Sequence, residues 1–291
     1  MRTGVDLGGT KIEAVVVDDT GRVVAKQRIA TPKGEYDATV ASIASLVEAV
    51  EAKAGGGGDV LGIGVPGSPS PSTSLMRNCN STVLNGKRLG EDLQRTIGRE
   101  VRMANDANCM ALSEAFDGAG AGASSVFGII LGTGVGGGVV VGNNLVAGAN
   151  GVAGEWGHIP LPWPRSDELQ CQPCWCGRHG CLETWLSGPA IEAQWIQAGG
   201  QPMTATEIAR LHPDSQFMQR WIDRLARATA VIINMLDPEV IVVGGGLNSI
   251  PAIYHEVPAR WPDFVFSDAI ATKLVPAMHG DSSGVLGAAR L

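Results

Sequence analysis

Two separated stretches of the chain share one plan of apolar and polar positions. From Thr3 to Asp18, β-branched and alternating residues flank Gly8-Gly9, which predicts strand, tight turn, strand. Asp18-Asp19-Thr20-Gly21 then turns into a third strand, Arg22 to Arg28. Val126 to Val141 repeats the pattern, with Gly132-Thr133-Gly134 as the turn between two apolar strands. Between them the pattern predicts a helix over about Tyr36 to Lys53, a strand Val60 to Val65 and a helix near Leu89 to Gly98. A strand Val101 to Ala104 and a helix Ala107 to Ala115 follow. Later come a long helix, about Phe217 to Met235, and a buried strand, Val240 to Val243, that runs into Gly244-Gly245-Gly246. Gly55 to Gly58 read as a plain surface turn, and Ser282 to Leu291 as helix-like. The repetition predicts two β-rich, α-flanked lobes facing a cleft, with paired glycine turns on either side of a bound nucleotide.

The first glycine turn is neither a Walker A loop nor a Rossmann fingerprint, because no helix follows its glycines and the spacing to Lys-Ser/Thr is lacking. A turn that exposes consecutive backbone N–H groups still cradles an anion. Gly8 and Gly9 let a phosphate approach the backbone, Thr10 adds a hydroxyl and Lys11 a charge. The same two glycines also suit an ordinary hairpin. Asp106, in Asn105-Asp106-Ala107-Asn108, stands where a strand ends and a helix begins. A carboxylate there projects into a cleft, as ligand-binding residues of open α/β sheets do, or caps the helix; spacing leaves both roles open.

His158 is followed by Cys174, Cys176 and Cys181, a Cys3His set of the kind zinc takes as a closed tetrahedral structural site. Gly177 and Gly180 allow tight turns between them, and two carboxylates, Glu155 and Glu183, are interleaved with the ligands. A disulfide-bonded loop is the alternative reading. Met1-Arg2-Thr3 leads into a strand pattern and not into an apolar leader, so a cytoplasmic chain with metal is the expectation. Cys171 is a further thiol whose role stays open.

Composition narrows the classes. The 291 residues suit two lobes, 44% hydrophobic and 18% charged residues describe a globular protein, and no apolar stretch reaches membrane-spanning length. A formal charge of −7 argues against nucleic-acid binding.

Five segments together resemble the ROK family of sugar kinases, over essentially the whole chain: Asp6 to Lys11, Asn105 to Asn108, Leu131 to Gly134, Gly154 to His158, and Cys174 to Glu183. Within that family, Asn78 to Thr82, Gly154 to Trp163 and His279 to Gly284 are most similar to the bacterial fructokinases that also accept mannose. The resemblance implies an α/β, two-lobed actin/hexokinase-like ATPase fold with duplicated ribonuclease H-like lobes and a small structural zinc site. The small lobe would span 1–118, with a C-terminal helix at about 282–291 packing back on it. The larger lobe would span 119–281 and carry a zinc-binding insertion at about 155–183.

By the same resemblance, ATP phosphates meet Asp6, Gly8, Gly9, Thr10, Lys11, Gly132, Thr133 and Gly134, and the adenosine end meets Gly244, Gly245, Gly246 and Leu247. Asp106 is the catalytic base. Sugar hydroxyls meet Asn105, Asp106, Glu155, His158 and Glu183, with Gly67 and Asn80 from the small lobe. His158, Cys174, Cys176 and Cys181 hold structural Zn2+, and Mg2+ accompanies ATP, with Asp6 its partner through water. The expected reaction is transfer to O6 of fructose, with mannose, glucose and N-acetylglucosamine as competing hexoses. A homodimer is expected, and neither nucleic acid nor membrane as a partner. The family also includes sugar-responsive repressors; with a phosphate turn starting at residue 6 and an acidic chain, that role is not expected here.

Overall fold

The computed structural model describes residues 1–291. The chain opens with β1 (Arg2–Leu7), β2 (Lys11–Val17) and β3 (Val23–Ala30), then α1 (Tyr36–Ala54) and β4 (Val60–Val65). A two-stranded hairpin of β5 (Ser68–Pro69) and β6 (Met76–Arg77) precedes α2 (Leu89–Ile97), β7 (Glu100–Asn105) and α3 (Asp106–Phe116). The second half repeats the scheme with β8 (Ser125–Leu131), β9 (Val135–Val141) and β10 (Asn144–Leu145). A long excursion follows, carrying α4 (Glu183–Leu186), α5 (Gly188–Gln197), α6 (Ala205–Leu211) and α7 (Gln216–Leu236). The chain ends with β11 (Val240–Gly244), α8 (Ala252–Arg260), β12 (Lys273–Pro276) and α9 (Ser283–Ala288).

The strands form two five-stranded sheets of one topology, β3-β2-β1-β4-β7 and β10-β9-β8-β11-β12. In each, the first three neighbours pair antiparallel and the last two junctions are parallel. The predicted third strand is displaced: it starts at Val23 and runs on to Ala30, because its pairing with β2 continues to Lys11. The interior strands β4 and β11 read as unbroken apolar runs since both their faces are covered. α1 stops where Gly55, at φ 78°, takes the left-handed C-cap.

Two separate cores result. One gathers Val5, Ile12, Ile43, Leu61 and Leu93 of the N-terminal sheet and its helices. The other gathers Ile129, Trp156, Trp185, Trp221, Ile241 and Trp261. The helices α3 and α9 cross between the sheets at close quarters: a Cβ on Gly287 would lie 1.7 Å from the Cys109 carbonyl oxygen. α9 also lies on β1 and β4, where a Cβ on Gly62 would meet the Ala288 carbonyl oxygen at 1.7 Å. Glu114 of α3, fully buried, ties the two chain crossings together. One carboxylate oxygen accepts from the backbone N–H groups of Ala119 and Met278, and the other from His279 N–H and the Ser283 hydroxyl.

No helix is long and apolar enough to cross a membrane.

Candidate active site

The cleft is built from strand ends and turns. At the end of β7, Asn105 adopts extended backbone and caps α3, its side-chain oxygen accepting from Ala107 N–H at 2.9 Å. Asn105 is thus the cap, and Asp106 is the first residue of the helix, its own Oδ1 also accepting from Ala107 N–H at 2.8 Å. The Asn105 amide also reaches the Gly67 carbonyl at 3.4 Å, in the turn between β4 and β5. Gly67 sits at φ 92° with the Arg77 carbonyl oxygen 2.4 Å from where a Cβ would be, so only glycine fits.

Asp106 is open to the cleft on one side and ringed by protein on the others. Desolvation by those surroundings raises its pKa, against the lowering effect of its bond to Ala107 N–H. Asp6, near the end of β1, is pushed up to about 6, first by burial and then by the negative charge of Asp106. Lys11 and Arg28 are the cations that Asp6 feels. Beside it lies α9, where a Cβ on Gly284 would come within 3.2 Å of Asp6 Oδ2.

Three glycine turns stand at strand ends of the two sheets. Gly8 N–H donates to the Lys11 carbonyl at 2.9 Å, and the Thr31 hydroxyl donates to the Gly8 carbonyl at 2.7 Å, which closes the first turn. Gly9 and Thr10 are exposed at its tip. Gly9 lies against Ser81, next to Asn80, which is exposed on a loop braced by two hydrogen bonds between Asn85 and the Cys79 backbone. In the second turn Gly132 N–H donates to the Gly134 carbonyl at 3.0 Å, with Thr133 exposed. The third turn meets the second: Gly245, at φ 83°, lies on the Leu131 backbone, and Gly246 N faces Gly132. Leu247 is buried beneath it.

The excursion after β10 supplies the opposite wall. It is fastened to α7 by a buried ion network in which Glu168 accepts from Arg224 at 2.7 Å and from Arg227 at 2.9 Å, while Arg227 also donates to the carbonyls of Pro162 and Trp163. Glu155 is accessible at the mouth of the cleft, yet the protein packed round it raises its pKa by desolvation. The negative charges of Asp106 and Glu183 add to that rise, and Arg77 opposes it. Glu183 begins α4 and is aimed by two donors: Val135 N–H to Oε2 at 3.0 Å and the Trp175 indole N–H to Oε1 at 2.5 Å.

Behind that wall the ligand atoms of His158, Cys174, Cys176 and Cys181 lie within 4.8 Å of one another. Cys174 Sγ is 3.6 Å from His158 Nδ1, and Cys176 Sγ is 3.6 Å from Cys181 Sγ. A tetrahedral ion with bonds of about 2.0–2.3 Å sets its ligand atoms about 3.5–3.8 Å apart, so the donor set fits zinc; a disulfide needs about 2.05 Å. Gly177 and Gly180, at φ 86° and 71°, make the turns that close the loop. Cys171 stands outside the set, its Sγ against Gly180 and 3.8 Å from the Glu168 carbonyl.

Two contributors had no clear signal in the sequence. Glu13 is 2% exposed, paired with Lys26 and Arg28 one strand over, and neighbours Asp6 across β1 and β2. A lone carboxylate in the apolar run Lys11–Val17 was the available hint. Trp175 lay inside the cysteine run, where nothing indicated which way its ring would point.

The chain is similar to known proteins over nearly its whole length. The ROK family model matches residues 2–291. The N-acetyl-D-glucosamine kinases of Vibrio cholerae and Vibrio parahaemolyticus are 39% and 38% identical, over 100% of this chain and 99% of theirs. Among solved structures, a ROK hexokinase from Thermus thermophilus superposes with a TM-score of 0.85 at 33% identity, covering 99% of this chain and 96% of that one. A ROK family glucokinase from Streptomyces griseus, solved with glucose and AMPPNP, gives 0.76 at 29% identity, covering 99% and 98%. The duplicated sheets, the interlobe cleft and these matches define an α/β protein of the actin/hexokinase-like ATPase fold. The chain belongs to the ROK family.

Proposed function

We propose that this protein is an ATP-dependent hexose kinase that phosphorylates the 6-hydroxyl of N-acetylglucosamine. The observation that carries the kinase reading is Asp106: a carboxylate with a raised pKa, at a strand end, between glycine turns contributed by both sheets. Catalysis of phosphoryl transfer is mainly positioning and charge neutralisation, which this arrangement supplies. Asp106 accepts the proton of the sugar hydroxyl while that oxygen attacks the γ-phosphorus of Mg-ATP in line. The bond from the γ-phosphorus to the bridging oxygen breaks, and ADP leaves with the electron pair. The turns at Gly8 to Lys11 and Gly132 to Gly134 hold the phosphates, and Gly244 to Leu247 the adenosine end. Asp6 would hold the magnesium that accompanies the nucleotide, which would neutralise phosphate charge. Asn105, Glu155, His158 and Glu183, with Gly67 and Asn80, bind the sugar hydroxyls. His158, Cys174, Cys176 and Cys181 would hold a zinc ion, which would supply folding energy and a fixed platform for Glu183 and take no part in the reaction.

The choice of hexose follows the full-length relatives. Fructose was expected from the Asn78, Gly154 and His279 segments, but the relatives at 38–39% identity are N-acetyl-D-glucosamine kinases, which favours the N-acetylglucosamine alternative. The deciding experiment measures ADP release from Mg-ATP over full concentration ranges of N-acetylglucosamine, glucose, mannose and fructose. The highest kcat/KM with N-acetylglucosamine is expected. A preference for fructose would reinstate the fructokinase reading, and no sugar-dependent ADP with any hexose would overturn the kinase reading. The assembly proposed is a homodimer, checked by light scattering.

A further inference from the structure

Trp175 is a residue of the cleft wall that the metal-ligand pattern does not require. It lies between Cys174 and Cys176, at the corner of a tight turn in which Gly177 N–H donates to the Cys174 carbonyl at 3.0 Å. The strand-like return, with Cys174 N–H donating to the Arg178 carbonyl at 2.8 Å, fixes the backbone on both sides of it. A side chain at such a corner has no packing to make within its own loop, and Trp175 is 64% exposed, the most exposed of the seven tryptophans. It is nevertheless held. Its indole N–H donates to Glu183 Oε1 at 2.5 Å, and its ring meets His158 edge-on, with centroids 5.0 Å apart and planes at 85°.

In the hexose kinase reading Glu183 and His158 bind the sugar, so an exposed aromatic surface is tethered beside that site. The other Glu183 oxygen is held by Val135 N–H, at the end of the second glycine turn. The two donors fix the carboxylate plane from opposite sides, and lone pairs remain on both oxygens for a sugar hydroxyl. A hexose also has faces made of C–H groups, whose slight positive charge suits the negative face of an aromatic ring.

We propose that Trp175 is a positioning and specificity residue of the sugar site: its N–H aims Glu183, and its exposed ring lies against a C–H face of the bound hexose. This rests on the hexose kinase reading above. The ring gives the metal loop a direct part in sugar recognition, beyond holding the chain.

The test compares wild type, Trp175→Phe and Trp175→Gly in ADP release with the hexose that wild type uses best. Intrinsic tryptophan emission is titrated with the same hexose in the absence of nucleotide, and bound metal is quantified in each protein. Trp175→Phe keeps a ring but loses the N–H, and its sugar KM is expected to rise about five- to tenfold. Trp175→Gly loses both, and its sugar KM is expected to rise roughly 20- to 50-fold. In both, kcat and the KM for Mg-ATP stay within about twofold of wild type, metal content is unchanged, and the sugar-dependent emission change is largely lost. Wild-type sugar KM and emission response in both variants would overturn the proposal. So would a parallel loss of metal, ATP affinity and sugar affinity in Trp175→Phe, which marks a purely structural role. If wild type turns over no hexose, the kinase reading fails and this inference falls with it.

Discussion

The two sheets share a strand order and differ in what they turn toward the cleft. In the N-terminal sheet a row of charge runs across the strands: Arg28 on β3 pairs with Glu13 on β2, which pairs with Asp6 on β1. At the matching step of the C-terminal sheet stands Ile130 on β8, paired with Gly136 on β9. The second row is apolar and slim because a helix lies on it. A Cβ on Gly138 would come within 2.9 Å of Asn108 Cα and of Ala111 Cβ, and one on Gly136 within 3.1 Å of Ala107 Cβ. One sheet therefore carries a charged row beside the first glycine turn, and the other is the bed for the helix that begins with Asp106. The C-terminal half regains polar groups through its long excursion, which brings Glu155, His158 and Glu183 back over the cleft. Repeating a topology does not repeat its chemistry; the side chains on equivalent strand positions decide that.

The comparison can be broken most severely at the helix the second sheet supports. Asp106→Asn is expected to keep the fold and sugar binding while turnover falls by about 10²–10⁴-fold, the usual loss of a positioned base; steady-state kinetics with a binding titration checks both halves. Wild-type turnover in that variant would remove Asp106 from the mechanism.

The excursion is tested next. Cys176→Ala is expected to lower metal affinity by more than about 100-fold and to weaken sugar binding before ATP binding, because the loop aims Glu183 and leaves the glycine turns untouched. Metal analysis and separate titrations of sugar and nucleotide read this out. Full sugar affinity in the metal-free variant would detach the loop from recognition.

The charged row has its own signature in pH. The folded state raises the pKa of Asp6 from 3.8 to about 6, so the native protein holds that proton more tightly than the unfolded chain does. Stability from this group is therefore complete below about 3.8 and declines as pH rises to about 6, beyond which the ionised carboxylate costs on the order of 3 kcal/mol. Asp6→Asn removes that cost. Its melting temperature is expected to exceed that of wild type at pH 8, with the gain shrinking toward pH 4.5, while turnover falls. An equal gain at both pH values would mean that Asp6 is not held against its ionisation. The raised pKa of Asp106 adds an expectation for wild type, that kcat/KM declines as the medium is acidified and the base is protonated.

The smallest effect probes the apolar row. Gly138→Ala is expected to cost about 1–2 kcal/mol, since its neighbours on α3 must give way, and thermal melting measures it. The same change at Gly246, where a Cβ meets nothing within 4 Å, should leave stability within about 0.5 kcal/mol.

Much of the architecture was legible because helices and strands are written in local periodicity. β4 spans Val60–Val65 as the apolar run predicts, and α1 runs one residue past its expected end, to Ala54. Glycine turns were legible too, since only glycine tolerates the conformations at Gly67 and Gly245. The grouping of His158 with three cysteines was readable from residue type and spacing, and these donor atoms converge.

Other features belong to the tertiary structure alone. Capping by Asn105 and not Asp106 depends on backbone geometry that both residue types satisfy equally well in sequence. The burial of Glu114 between two chain crossings, and the row from Asp6 through Glu13 to Arg28, arise from contacts between distant segments and from strand register. The direction of the Trp175 ring depends on a turn closed by backbone hydrogen bonds on either side of it. Residue types and their spacing thus determined which groups the protein possesses and the elements that carry them. Their distances, burial and shared fields were decided by packing, because a carboxylate's chemistry depends on which charges and how much water surround it.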